Sequence, residues 1–243
     1  MLNFFLGLIK KITPEFILYR YRVILGKRHY FELENMDLKS KFTKIYEDGV
    51  WGGEGERFYS GSGSHNNEIV EKYIISVNNF LNDLIVEKTV VDLGCGDFNI
   101  GSKLFRNTKK YIACDIVDSL IDYNSIKFSH QNLIFKKINI VEDDLPAGNI
   151  VFIRQVLQHL SNEDILKVVK KLYKYKYLVI TEHLPKFIFK PNKDYFSGPS
   201  IRLERNSGVV LDEKPFNLIY KNKYKICEVE ENEGVIVTSV YEL

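Results

Sequence analysis

The sequence predicts an α/β domain. It reads as a Rossmann-like seven-stranded sheet with helices on both faces, preceded by an N-terminal helical and lid extension. Three observations carry the prediction. Apolar runs of strand length alternate with helically spaced stretches between Thr89 and Thr181, as in β-α units whose strands lie parallel. The first run enters a glycine turn, TVVDLGCGDFNIG, with glycines at 94, 96 and 101. Near the end, strand-like runs at 223–230 and 235–241 flank turn residues 232–234. That is a hairpin, so the last part of the sheet is antiparallel.

The 243 residues suffice for one large domain with an appendage, and 45% hydrophobic with 27% charged residues fits a soluble globular chain. A net charge of +2 gives no basic footprint for nucleic acid. Cys95, Cys114 and Cys227 lack metal-ligand spacing and cannot all pair; they read as reduced thiols of a cytoplasmic protein. No metal site is expected.

Residues 1–28 carry Lys10, Lys11, Arg20, Arg22, Lys27 and Arg28 against Glu15. The first apolar run is too short to span a bilayer and no small-residue cleavage site follows it. Pro14 divides two helix-like pieces. The favoured reading is helices that pack on the domain or on a second subunit; the alternative is an amphipathic segment on an anionic membrane surface. Residues 31–67 end in a Gly/Ser-rich loop holding Trp51, Phe58 and Tyr59. The chain's only Trp is wasted on a plain linker, so this stretch reads as an ordered lid. The expected division is 1–66 for helical segment and lid and 67–243 for the α/β domain.

Apolar positions 69, 70, 74, 77, 80, 81 and 84 predict a helix over 67–84. Strands follow at 89–93, 111–115, 133–138, 150–153 and 177–181. Helices are expected from 100 to 105, over 116–128, and over 162–173 with a lysine-rich outer face. Residues 184–215, with prolines at 185, 191, 199 and 215, read as an irregular insertion.

Gly94 and Gly96 let backbone approach a ligand closely, and a helix beginning at 100 would offer its N-terminal N–H groups. Asp115 ends the second strand, where a carboxylate accepts ribose hydroxyls. No Lys-Ser/Thr pair follows the glycines, against a P-loop. A dinucleotide fingerprint wants glycine or alanine where Asn99 stands, and Asp97 is an unwelcome charge beside a pyrophosphate. S-adenosylmethionine carries no phosphate and is cationic, so carboxylates suit it.

DLGCGDFNIG, ACDI, INIVEDDLP and FIRQVLQHLS together resemble the successive motifs of class I S-adenosylmethionine-dependent methyltransferases. WGGEGERFYSGSGSH and GPSIRLERNSGVVLDEKPFNL extend the resemblance to a bacterial small-molecule methyltransferase family, over residues 45–243. The resemblance implies strand order 3-2-1-4-5-7-6 with strand seven antiparallel. It places Asp92, Gly94 and Gly96 at the methionine end of the cofactor and Asp115 on the ribose. Ile116 would pack on adenine, with Asn139 on its amino group where many members have an acid; Asp97 and Ile140 also count among the cofactor-binding residues. Arg154 and Gln155 would adjoin the methyl group.

Candidate general bases are His183, His159 and Glu182, near carboxyl ends of predicted strands. Arg57, Tyr59, His65 and Arg202 are candidate substrate contacts; arginines in the loops suggest an anionic acceptor. The expected activity is methyl transfer, at oxygen, to a small anionic metabolite or surface-glycan or capsule precursor, by in-line displacement. The alternatives are an NAD(P)-dependent oxidoreductase and a non-catalytic module that binds a partner or membrane.

Overall fold

The computed structural model describes residues 33, 35–53, 55–232 and 234–243. The chain divides into a unit of residues 1–37 and one of residues 38–243; the second carries every element described below. The expectations for residues 1–28 lie outside the described residues. Among the described residues no helix is long and apolar enough to cross a membrane.

Within the second unit helix α1 (Leu38–Glu47) comes first, and the one-turn α2 (Ser62–His65) follows the lid loop. Helix α3 (Asn67–Asp83) starts where Asn66 accepts the backbone N–H of Glu68, a cap worth about 1 kcal/mol. The sheet then forms from β1 (Thr89–Leu93), β2 (Lys110–Asp115), β3 (Leu133–Lys137), β4 (Ile150–Arg154), β5 (Tyr177–Pro185), β6 (Asn222–Glu231) and β7 (Gly234–Glu242). Helix α4 (Asp118–Lys127) joins β2 to β3, and α5 (Asn162–Leu172) joins β4 to β5. The strand order is β3-β2-β1-β4-β5-β7-β6, as the resemblance implied. Strands β1 to β5 are parallel neighbours, and β7 runs antiparallel to both β5 and β6.

Both faces of the sheet are covered, which is why its central strands read as unbroken apolar runs. In β1, Val90 packs with Val77 and Leu81 of α3 on one face; Val91 packs with Val168 and Leu172 of α5 on the other.

Two expectations fail. Beyond the glycines there is no α-helix, only 3₁₀ turns at Gly101–Lys103 and Phe105–Asn107. Eight residues separate Gly101 from Lys110, too few for a helix and its return to the sheet. Phe98, at φ 63°, is instead buried against Phe105, Tyr111, Phe128 and Phe135 and anchors the segment. Secondly, β5 does not end at Thr181. Its antiparallel pairing with β7 continues to Pro185 opposite Gly234, so Glu182 and His183 are strand residues.

Candidate active site

Strand β1 ends at a turn held by two bonds: the N–H groups of Gly94 and Cys95 both donate to the Cys114 carbonyl, at 2.8 and 2.9 Å. The turn needs its glycines. Gly94 has φ 81°, and a Cβ there would lie 2.4 Å from Val156 Cγ2. Gly96 has φ 55°, with Ser60 Oγ 2.3 Å from where its Cβ would stand. Side chains are strained in this region of backbone space.

Asp115 ends β2. Its Oδ2 accepts the Gly96 N–H at 3.0 Å and its Oδ1 the Val117 N–H at 3.1 Å. Burial raises its pKa from the ordinary value, and those backbone N–H bonds oppose the rise.

A cavity of about 370 Å³ lies over these strand ends. Its β1–β2 side is lined by Gly94, Gly96, Asp115, Ile116 and residues 138–141. Its β4–β5 side is lined by Arg154, Gln155, Val156, His159, His183, Glu231 and Asn232. Phe42 and Tyr46 of α1, with Trp51 and residues 60–64 of the lid, complete the wall. In the strand order, β2 and β5 are three spacings apart, roughly 14 Å. The cavity thus joins two regions rather than forming one small pocket.

Of the residues singled out from sequence, Gly94, Gly96, Asp115, Ile116, Asn139, Ile140, Arg154, Gln155, His159 and His183 line this cavity. Seven others do not. Asp92 points beneath Gly94 into a smaller recess shared with Arg154 and Tyr73. It accepts the Tyr111 hydroxyl at 2.8 Å, and burial pushes its carboxyl up to about 7 against that bond. Asp97 is a clamp on the lid: it accepts the Ser60 N–H at 2.8 Å and lies 2.6 Å from His65 Nε2. Tyr59 stacks on that histidine with ring centroids 4.2 Å apart. His65 and Tyr59 therefore hold the lid down.

Arg57 is exposed, with its guanidinium over the rings of Phe58 and Tyr123. Arg202 is 1% exposed and bonds to the carbonyls of Leu160 and Lys193, pinning the insertion to the domain. Glu182 is buried beside it; burial pushes its carboxyl up to about 8, with Arg202 pulling the other way. Strand alternation explains Glu182: it and His183 project to opposite faces.

Asn139 accepts the Val141 N–H through Oδ1 at 3.0 Å, so its carbonyl already orders its own loop. Arg154 reaches up to the lid, bonding to Ser64 Oγ at 3.2 Å and to the Gly63 carbonyl. His159 donates from Nδ1 to the Gly198 carbonyl at 3.2 Å, and burial lowers its pKa to about 4. His183 donates from Nε2 to the Glu231 carbonyl at 3.2 Å. Burial lowers its pKa as well, opposed by the Glu231 carboxylate, whose Oε2 lies 3.9 Å from Nδ1.

Glu231 is the residue that sequence reasoning missed. In sequence it is one acid of a charged hairpin turn. Only the β5–β7–β6 register brings it beside His183.

No family model matches the sequence, and no curated protein matches it. Solved structures do. An S-adenosylmethionine-dependent methyltransferase from Leishmania major aligns over 87% of this chain and 89% of its own, at 12% identity and TM-score 0.59. The N-methyltransferase NodS from Bradyrhizobium japonicum, in complex with S-adenosylhomocysteine, aligns over 85% and 99%, at 12% identity and TM-score 0.57. The fold is that of class I S-adenosylmethionine-dependent methyltransferases. Human N-acetylserotonin methyltransferase, in complex with S-adenosylmethionine, shares it over 92% of this chain and 66% of its own, at 13% identity and TM-score 0.55. In this methyltransferase fold the glycine turn and Asp115 stand at the first and second strand ends, and the lid lies across them.

Proposed function

We propose that this protein is an S-adenosylmethionine-dependent methyltransferase acting on a small molecule that carries a hydroxyl or amine. The observation that carries the reading is Asp115. It is a buried carboxylate, held by two backbone N–H groups, in a cavity that continues to His183 and Glu231.

The residues present fit the cofactor. Asp115 suits the paired hydroxyls of a ribose. Ile116, Ile138 and Ile140 offer apolar surface for an adenine. The crowded glycines leave backbone, not side chain, facing the ligand. When bound, S-adenosylmethionine supplies an electrophilic methyl group on a sulfonium. The protein then has to orient the acceptor and accept its proton. His183 is suited to that: its Nε2–H is fixed on the Glu231 carbonyl, so in the neutral ring Nδ1 is the basic nitrogen. The adjacent Glu231 carboxylate would stabilise the imidazolium formed. The expected oxygen acceptor falls within this reading.

A dinucleotide suits the site less. A pyrophosphate would want a helix N-terminus beyond the glycines, where this chain has 3₁₀ turns and the Asp97 carboxylate.

The test is S-adenosylhomocysteine release when the protein meets S-adenosylmethionine and a panel of small alcohols and amines. Release that requires both an acceptor and Asp115 supports the reading. A folded protein that binds no S-adenosylhomocysteine contradicts it.

A further inference from the structure

The acceptor side of the cavity has a charge pattern opposite to that expected from the arginines in the sequence. Among the described residues lining the cavity, Arg154 is the only lysine or arginine. Its guanidinium lies over the Tyr73 ring and is bonded to the lid. Three acids line the same space: Asp115 at the end of β2, and Glu204 and Glu231.

The contact between His183 and Glu231 is more specific. His183 is 6% exposed. Its Nε2 must donate, because its partner is a carbonyl. In the neutral ring, which burial favours, Nδ1 is then a lone pair facing Glu231 Oε2 at 3.9 Å. In that form two acceptors face each other. Glu231 Oε1 is already satisfied by the Ser62 hydroxyl at 2.7 Å. The free positions of this pair call for a group with several N–H donors. A carboxylate or phosphate there would add a third acceptor and a second negative charge. Trp51 lines the same cavity, edge-on to Tyr46 at 5.1 Å between ring centroids. Aromatic faces bind organic cations.

We propose that the acceptor is a small organic amine, its ammonium held between His183 Nδ1 and Glu231 Oε2 and its body against Trp51 and Tyr46. This rests on the methyltransferase reading for the role of the cavity, but its test does not.

Trp51 is the chain's only tryptophan, so its fluorescence reports the occupant directly. The full chain is titrated with benzylamine, benzyl alcohol and benzoate, near-isosteric probes that are cationic, neutral and anionic at pH 7. Titrations run with and without S-adenosylhomocysteine. Benzylamine should bind about tenfold more tightly than benzyl alcohol, with benzoate weakest. Glu231→Gln should bring benzylamine and benzyl alcohol to within about twofold. Glu204→Gln, at an exposed position, should weaken benzylamine by about twofold. Benzoate binding as well as benzylamine, or no benzylamine response, overturns the proposal. So does a benzylamine preference that survives Glu231→Gln. Should Glu231→Gln fail to fold, the three-probe comparison on the native chain still decides. Failure of S-adenosylhomocysteine to bind would instead defeat the cofactor reading and leave the amine titration intact.

Discussion

The two sides of the cavity are built differently. The proposed cofactor side comes from one run of chain, residues 94–141, in which Gly94, Gly96, Asp115, Ile116, Asn139 and Ile140 all lie at a strand's last residue or within three residues beyond it. The acceptor side gathers α1, the lid, the end of β5 and the β6–β7 turn. In sequence, Ser62 and Glu231 are 169 residues apart, yet they share a hydrogen bond. The comparison teaches that local chain chemistry makes the cofactor side, whereas strand register makes the acceptor side. Substitutions on the first should act on cofactor affinity alone; those on the second should act on acceptor preference or on lid order.

The largest effect is expected at the centre of the cofactor side. Asp115→Ala removes a charged acceptor and should weaken S-adenosylhomocysteine by about 100-fold, read by calorimetry. Retained affinity would remove Asp115 from the ribose role. Next is the clamp joining the two sides. Asp97→Asn weakens the charge-assisted bonds to Ser60 and His65, and should speed proteolysis within residues 51–61 by about tenfold. An unchanged cleavage rate would mean the lid is held by its aromatic packing.

A smaller effect separates Glu182 from the acceptor side. Its folded pKa is raised to about 8, above its ordinary value. Its contribution to stability is therefore present at low pH and is lost as pH rises from the ordinary carboxyl range through about 8. Glu182→Gln does not titrate. Relative to the native chain, its Tm should gain on the order of 10 °C between pH 5 and pH 9; a difference independent of pH would contradict the burial argument. The smallest effect is at Arg57. Its exposed stacking on Phe58 and Tyr123 is worth about 0.5 kcal/mol. Arg57→Ala should leave S-adenosylhomocysteine affinity within about twofold.

The same comparison explains what could be read from the sequence. Alternation of apolar runs and helical spacing gave the strands, and the hairpin at residues 223–241 gave the antiparallel end. That the glycines and Asp115 meet at the cavity was legible because chain position alone puts them at the strand ends. The short link from Gly101 to Lys110 misled, since a motif usually followed by a helix is here anchored by Phe98. Arg57, Tyr59, His65 and Arg202 have residue types suited to binding but are used as lid and loop fasteners. No local signal distinguishes an arginine that pins carbonyls from one that meets a substrate. Glu231 was illegible for the converse reason: a solvated turn acid and a cavity acid look alike until β5 pairs with β7.

The most direct test of the central claim is a calorimetric titration of the full chain with S-adenosylhomocysteine and, separately, with NAD. The account predicts one saturable S-adenosylhomocysteine site, lost in Asp115→Ala, and no heat from NAD. Tight NAD binding with no response to S-adenosylhomocysteine would contradict it.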